Sequence, residues 1–207
     1  MLEFEIKGTI LLGPEGINCN LCGQAAKMDH FIQFVVETTK VPNTDPKISY
    51  SKEPSFKCSK VKIKPYIVAK PGKTPIDPTR DTAPYITPEK FHEWMKENKK
   101  MVVLDTRNDF ENQVGRFKDS SHLGTKHFAD FEGDLEKTPQ EWQNIPIVTF
   151  CTGGIRCEKA APLMLKKGFQ EVYQLQGGIL NYFKKVGQGY FEGGCFVFDE
   201  RIAINPN

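Results

Sequence analysis

Val148-Thr149-Phe150-Cys151-Thr152-Gly153-Gly154-Ile155-Arg156-Cys157-Glu158-Lys159-Ala160-Ala161 passes from an apolar run through two glycines into a helix-forming segment. The pattern predicts a buried strand, a tight loop and a helix opening near Arg156. Glycines let the backbone bend sharply and turn successive N–H groups inward, which makes a concave site for an anion. The helix start adds unpaired N–H groups and the positive end of its dipole. Cys151, at the strand end, is therefore expected to have a lowered pKa, and the thiolate is the reactive form of a cysteine. Thr152, Gly153, Gly154, Ile155 and Arg156 form the anion cradle, with Arg156 adding charge. Such a cradle suits a thiolate, a persulfide sulfur or an oxyanion. Cys157 stands where it would resolve an oxidised Cys151, and equally where a small buried residue would begin a helix. Glu158 complements the helix dipole. A merely structural cysteine would leave the coincidence of strand, glycine pair and arginine unexplained.

Outward from this loop, the second half alternates strands and helices. Thr87-Pro88-Glu89 supplies an N-cap, a first-position proline and an early acid, opening a helix to about Asn98 that buries Phe91, Trp94 and Met95. Met101–Leu104 is a short apolar strand ending in Asp105-Thr106-Arg107. Asp130–Asn144 is polar, with Phe131, Leu135 and Trp142, and holds a short helix. Ile147–Phe150 is the strand that feeds the loop. The following helix, Cys157–Lys167, stops at Gly168, and Pro162 within it predicts a kink or a late start. Val172–Leu175 is another strand, and Gly177-Gly178 turns into a helix over Ile179–Val186. This alternation predicts an α/β domain over 85–190, a mostly parallel sheet covered on both faces. Site residues of such sheets sit at the C-terminal strand ends, where Asp105 and Cys151 both fall. Asp105 and Arg107 are expected to support the site, chiefly by bracing the sheet. Cys195, Val197 and Asp199 alternate with Phe196 and Phe198, which predicts a strand in the extension 191–207.

The first half reads as α+β. Phe4–Leu12 and Ile17–Leu21 are strands joined by the Gly13–Gly16 turn. Met28, Phe31, Ile32 and Val35 share one face of a helix over Gln24–Thr39. A turn at Pro42–Pro46 and strands at Ile48–Ser51 and Val61–Ala69 follow. Strand, strand, helix, strand over 1–69 is an incomplete ferredoxin-like unit that a leading strand and helix would complete. Lys60, Lys62 and Lys64 alternate with Val61, Ile63 and Pro65, so a strand would place three ammonium groups on one face, with Lys57, Lys70 and Lys73 nearby. Such a stripe fits an RNA backbone as well as it fits a solvated face. Cys19 and Cys22 would need two further ligands to close a zinc site and are expected to be small strand residues. Cys58 reads as a small core or edge residue. Lys70–Pro84, with four prolines, reads as a linker.

The 207 residues allow one or two domains, and a net charge of +2 does not by itself indicate nucleic acid. No apolar run is long enough to span a membrane, and Met1–Thr9 is unlike a signal peptide. Six irregularly spaced cysteines point to a reduced, cytoplasmic setting rather than a disulfide framework. His30, His92, His122 and His127 are scattered, so no iron triad is predicted, nor any other metal site. No dinucleotide fingerprint is present either, so the sequence shows no bound cofactor. Oligomeric state is left open.

Cys151-Thr152-Gly153-Gly154-Ile155-Arg156 resembles the active loop of rhodanese sulfurtransferase domains, in which four residues separate the cysteine from the arginine. Phosphatases of that fold use a loop one residue longer. Leu104–Glu111 resembles the rhodanese LDxR…E segment. Cys157–Phe169, Gln176–Ile179, Lys7–Asn18 (KGTILLGPEGIN) and the tail CFVFDER are together similar to the rhodanese-domain tRNA uridine hydroxylases. Members of that family usually begin one strand and one helix earlier, which implies an incomplete first domain here. The resemblance implies oxygen-dependent conversion of the wobble uridine of tRNA to 5-hydroxyuridine, with Cys151 catalytic and molecular oxygen as co-substrate. It also implies the tRNA anticodon loop as partner. Lys60, Lys62, Lys64 and Arg116 are then candidates for RNA contact. The alternative is a sulfurtransferase carrying a persulfide on Cys151 and indifferent to RNA; a non-catalytic scaffold and a phosphatase fit the loop less well.

Overall fold

The computed structural model describes residues 1–40 and 46–206, so the turn predicted at Pro42–Pro46 lies outside the described residues apart from Pro46. The chain divides into two compact units, one of Met1–Ile67 with Phe198–Arg201, the other of Val68–Val197 with residues from 202 onward.

In the first unit, β1 (Lys7–Gly13) and β2 (Gly16–Cys22) form an antiparallel hairpin, α1 (Ala25–Thr39) follows, and β3 (Ser59–Ile63) joins β1 in parallel. The sheet order is β2-β1-β3. Ile6, Ile10 and Phe31 are its buried core, with Leu12, Leu21 and Met28 packed around them. Three expected strands differ. The one expected from Phe4 starts only at Lys7, after a turn in which Glu5 takes φ 55°. Ile48–Ser51 is irregular, and Ile48 and Tyr50 are 63% and 80% exposed, so their apolar alternation has no covered face to serve. The strand expected over Val61–Ala69 stops at Ile63. Lys64 N–H still reaches the Leu12 carbonyl at 2.8 Å, but β1 itself ends at Gly13, so the chain beyond Lys64 has no strand left to pair with.

In the second unit, β4 (Tyr85–Ile86) leads into α2 (Pro88–Lys96), and Thr87 Oγ1 caps it by accepting Lys90 N–H at 3.2 Å. Next come β5 (Val102–Asp105), α3 (Asp109–Val114), β6 (Gly115–Phe117), β7 (Ser121–His122) and α4 (Phe131–Leu135). After them β8 (Ile147–Phe150), α5 (Cys157–Lys166), β9 (Val172–Leu175) and α6 (Gly178–Val186) build the region of the loop. The short strands β10 (Phe191–Gly193), β11 (Cys195–Phe196) and β12 (Ala203–Ile204) finish the unit.

Five strands pair in parallel in the order β4-β9-β8-β5-β7. Because side chains alternate across a strand, Leu104 and Ile147 face α5 and its Ala160 and Leu163. Val103, Val148 and Phe150 face the opposite layer, with Phe91 of α2 and Tyr182 of α6. Both faces are covered, which is why β8 carries no polar alternation. β10 pairs with β6 and β11 with β12, so the tail contributes three short strands rather than the single one expected. Pro162 lies inside α5, which begins at Cys157 without delay; the proline withholds only the bond that Glu158 carbonyl would have received. Segment 70–84 is fastened within this unit. Lys73 and Thr74 N–H groups donate to Glu132 at 2.6 and 2.9 Å, and Lys166 pairs with Asp81 at 2.7 Å. Bonds from Lys167 and Thr74 hold the Glu132 carboxyl down to about 2.

Candidate active site

Cys151 follows β8 at the C-terminal edge of the sheet and is fully buried. Gly154 N–H donates to its sulfur at 3.1 Å, and the N–H groups of Arg156 and Cys157 also bond it. The loop can aim its N–H groups inward because its carbonyls are held from outside. Ile179 N–H donates to Cys151 carbonyl at 3.0 Å, and Leu180 N–H to Thr152 carbonyl at 3.1 Å. The first amides of α6, free by position, thus clamp the back of the loop. The clamp needs Gly178 at φ 63°, because a Cβ there would stand 2.3 Å from the Cys151 oxygen.

Three buried thiols lie in this region, and their surroundings separate them. Burial pushes the Cys151 thiol up, but the Cys157 hydrogen bond, the Arg156 charge and the amides of Arg156 and Cys157 outweigh it, bringing it from 9.0 down to about 6. Cys157 is driven the other way, first by burial and then by its bond to Cys151 and the charge there. Its sulfur lies 3.6 Å from Thr106 Oγ1, which donates to Phe150 carbonyl at 3.0 Å. Burial pushes Cys195 up to about 12 despite the Arg107 charge and a bond with Thr152. At neutral pH the charge therefore belongs to Cys151.

Arg156 is held by Glu111, Nη1 to Oε2 at 2.5 Å and Nη2 to Oε1 at 2.7 Å. Burial disfavours the guanidinium charge, yet the Glu111 bonds and the Cys151 charge keep its pKa above the ordinary value. Glu111 is fully buried and also accepts Asn108 N–H at 3.1 Å, so α3 is tied by one carboxylate to the start of α5. The thiol assignment gives a direct expectation. Alkylation of Cys151 by a small reagent should be level above about pH 7 and fall as pH drops through 6, because protonation removes the nucleophile. Stability follows the same sign: the folded pKa is depressed, so the stabilising contribution is complete above 9.0 and lost as pH falls through about 6. Replacing Arg156 by methionine should move the alkylation midpoint up towards the ordinary thiol value.

The structure brings Cys151, Thr152, Gly153, Gly154, Ile155, Arg156 and Cys157 together in one loop. Asp105 and Arg107 lie buried beside it and bind each other, Arg107 Nη2 to Asp105 Oδ2 at 2.6 Å. Arg107 also donates to Gly115 carbonyl at 2.7 Å, and Asn112 donates to Asp105 at 2.9 Å. Arg116 is exposed on β6, opposite Glu192. Lys60 and Lys62 are exposed on β3 of the first unit, Lys64 lies just beyond it, and Lys57 is paired with Glu200 at 2.9 Å. Cys19 and Cys22 lie on β2, and Cys58 is exposed, its carbonyl accepting Gly8 N–H at 2.8 Å. Among the described residues, no group of three or more His, Cys, Asp or Glu is placed to hold a metal ion.

Two neighbours of the loop carry no role in the sequence reading. Glu111 was signalled by the spacing Asn108-x-x-Glu111, a helix-start pattern. Cys195 has no local signal, since it reaches the loop from a strand forty-four positions later in the chain than Cys151.

Residues 1–67 match the UPF0176 acylphosphatase-like domain family, and residues 87–185 match the rhodanese-like domain family. The tRNA uridine(34) hydroxylase of Cupriavidus pinatubonensis is 42% identical over 211 residues, spanning 99% of this chain and 74% of that protein. The proteins of the same name from Thiobacillus denitrificans and a Synechocystis strain are 39% and 36% identical. They match 100% and 96% of this chain, and 85% and 72% of their own lengths.

Proposed function

The chain belongs to the tRNA uridine(34) hydroxylase family, and from that premise we propose that its hydroxylation of the wobble uridine runs on the Cys151 sulfur. The observation that carries the assignment is the amide cradle that lowers this thiol, alone among three buried ones. A uracil ring is electrophilic at C6, because its C5–C6 double bond is conjugated with the C4 carbonyl. A soft thiolate is matched to that carbon, and its addition makes C5 the nucleophilic position that takes up oxygen. One atom of molecular oxygen, the co-substrate, stays on C5 as the hydroxyl. The other leaves as water with two electrons and two protons from an external reductant such as a small thiol. Loss of the C5 proton then expels the Cys151 thiolate from C6 and leaves 5-hydroxyuridine. The loop N–H groups and Arg156 hold the sulfur as an anion before addition and after release. The exposed Lys60, Lys62, Lys64 and Arg116 supply contacts to phosphates of the tRNA, which position the substrate without reading its sequence. Among the described residues all six cysteines are free, which suits a reduced cytoplasmic setting.

A persulfide-carrying sulfurtransferase is the second reading, favoured by the match of residues 87–185 to the rhodanese-like family. Purified protein incubated in air with tRNA from cells lacking it separates the two. A hydroxylase leaves nucleoside 34 one oxygen atom heavier, and only when oxygen is present. A sulfurtransferase takes sulfur from thiosulfate onto Cys151 and leaves the tRNA unchanged.

A further inference from the structure

The reactive sulfur is buried and recessed at the sheet edge. A base kept in an anticodon stack cannot reach it, so the target uridine has to be turned out of its stack. Each neighbouring base then loses a stacking partner. Exposed aromatic side chains beside the site would replace that loss, because every base presents a π-face.

The second unit has such side chains in the fitting places. Among the described residues, its exposed phenylalanine and tyrosine side chains are Tyr85, 55% exposed, and Phe110, 45% exposed. They lie on opposite sides of the loop along the sheet order. Tyr85 is on β4, two strands from β8 on the β9 side, at the strand end where Ile86 pairs with Leu175. Two strand spacings are about 10 Å. The Tyr85 phenol bonds Glu158, in the first turn of α5. Phe110 is on α3, which follows β5 on the other side, next to the Glu111 that holds Arg156. Its ring stands edge-on to Phe196 at 5.2 Å, and Phe196 adjoins the Cys195 that bonds Thr152. Each ring is therefore tied to the loop through one residue and still presents nearly half its surface or more to solvent.

We propose that Tyr85 and Phe110 are stacking residues that hold the nucleotides flanking the extruded uridine of a single-stranded RNA loop. The proposal rests on the hydroxylase reading and adds the residues that receive the RNA bases. Side chains that bind substrate and transition state alike change KM and leave kcat nearly untouched.

The test is steady-state hydroxylation of tRNA from deficient cells by the full chain and by Tyr85→Leu, Tyr85→Phe and Phe110→Leu. The pH midpoint for Cys151 alkylation is measured on each variant. The expected result is a KM raised about tenfold by either leucine, an unmoved alkylation midpoint, and near-unmodified kinetics for Tyr85→Phe, which keeps the ring. Leucine variants with unchanged KM would overturn the proposal while leaving the hydroxylase reading intact. So would a Tyr85→Phe variant as impaired as Tyr85→Leu, since the hydroxyl and not the ring would then matter. An unmodified protein that never hydroxylates tRNA would remove the hydroxylase reading itself, and this proposal with it.

Discussion

Replacing Glu111 by alanine is expected to destabilise the protein by about 3–5 kcal/mol, the usual effect of leaving one member of a buried ion pair without its partner. Arg156 is only 8% exposed, and both of its Nη atoms bond this one carboxylate. No water can take over the bonds where the side chain is enclosed. The conservative Glu111→Gln variant separates anchoring from charge. Glutamine keeps one acceptor oxygen but turns an N–H donor towards a guanidinium that can only donate. The protein should again lose stability, although less than with alanine. Cys151 should behave differently. Removing the negative charge of Glu111 leaves the Arg156 charge unopposed, so the thiol midpoint should stay near 6 or move lower. Thermal unfolding with thiol titration on the same sample reads both effects. A midpoint that rises would mean that Arg156 leaves the loop once its anchor is gone.

Gly178→Ala is expected to cost on the order of a hundredfold in turnover, because a displacement of about 1 Å at a reacting group has that effect. The added Cβ would stand 2.3 Å from Cys151 oxygen and 2.7 Å from Thr152 oxygen, both backbone atoms with nowhere to go. A residue with a Cβ at φ 63° adds a further cost of about 1 kcal/mol or more. The loop must retreat, and the bonds from Ile179 and Leu180 that aim its amides are lost. The thiol midpoint should rise towards 9.0 as the cradle opens. Gly153→Ala is the control, since a Cβ there meets nothing within 4 Å. Equal losses in both variants would show that the effect is not specific to the clamp.

Much of this site was legible in residue order because its physics is local. A strand end, two glycines and a helix start within one short stretch set both the bend and the direction of the amides, and the thiol shift follows. The parallel sheet was legible for a similar reason, since β5, β8 and β9 are short apolar runs separated by helix-forming segments. What escaped was non-local or too short for periodicity. α3 has six residues and β6 three, so neither carries a repeat, and the Glu111 partner of Arg156 sits 45 positions away. The clamp by α6 was invisible because it uses backbone amides only. Ile48 and Tyr50 misled because alternation marks a strand only where a neighbouring element covers one face. Proline content misled about segment 70–84 as well, which Glu132 and Lys166 fasten in place.

The most direct measurement is nucleoside mass spectrometry of tRNA from cells that lack this protein, complemented with the full-length protein, either unmodified or carrying Cys151→Ala. Return of 5-hydroxyuridine-type nucleosides with the unmodified protein and their absence with the alanine variant is the predicted result. Equal return with both would contradict the account, because hydroxylation would then proceed without the thiolate that the loop is built to hold.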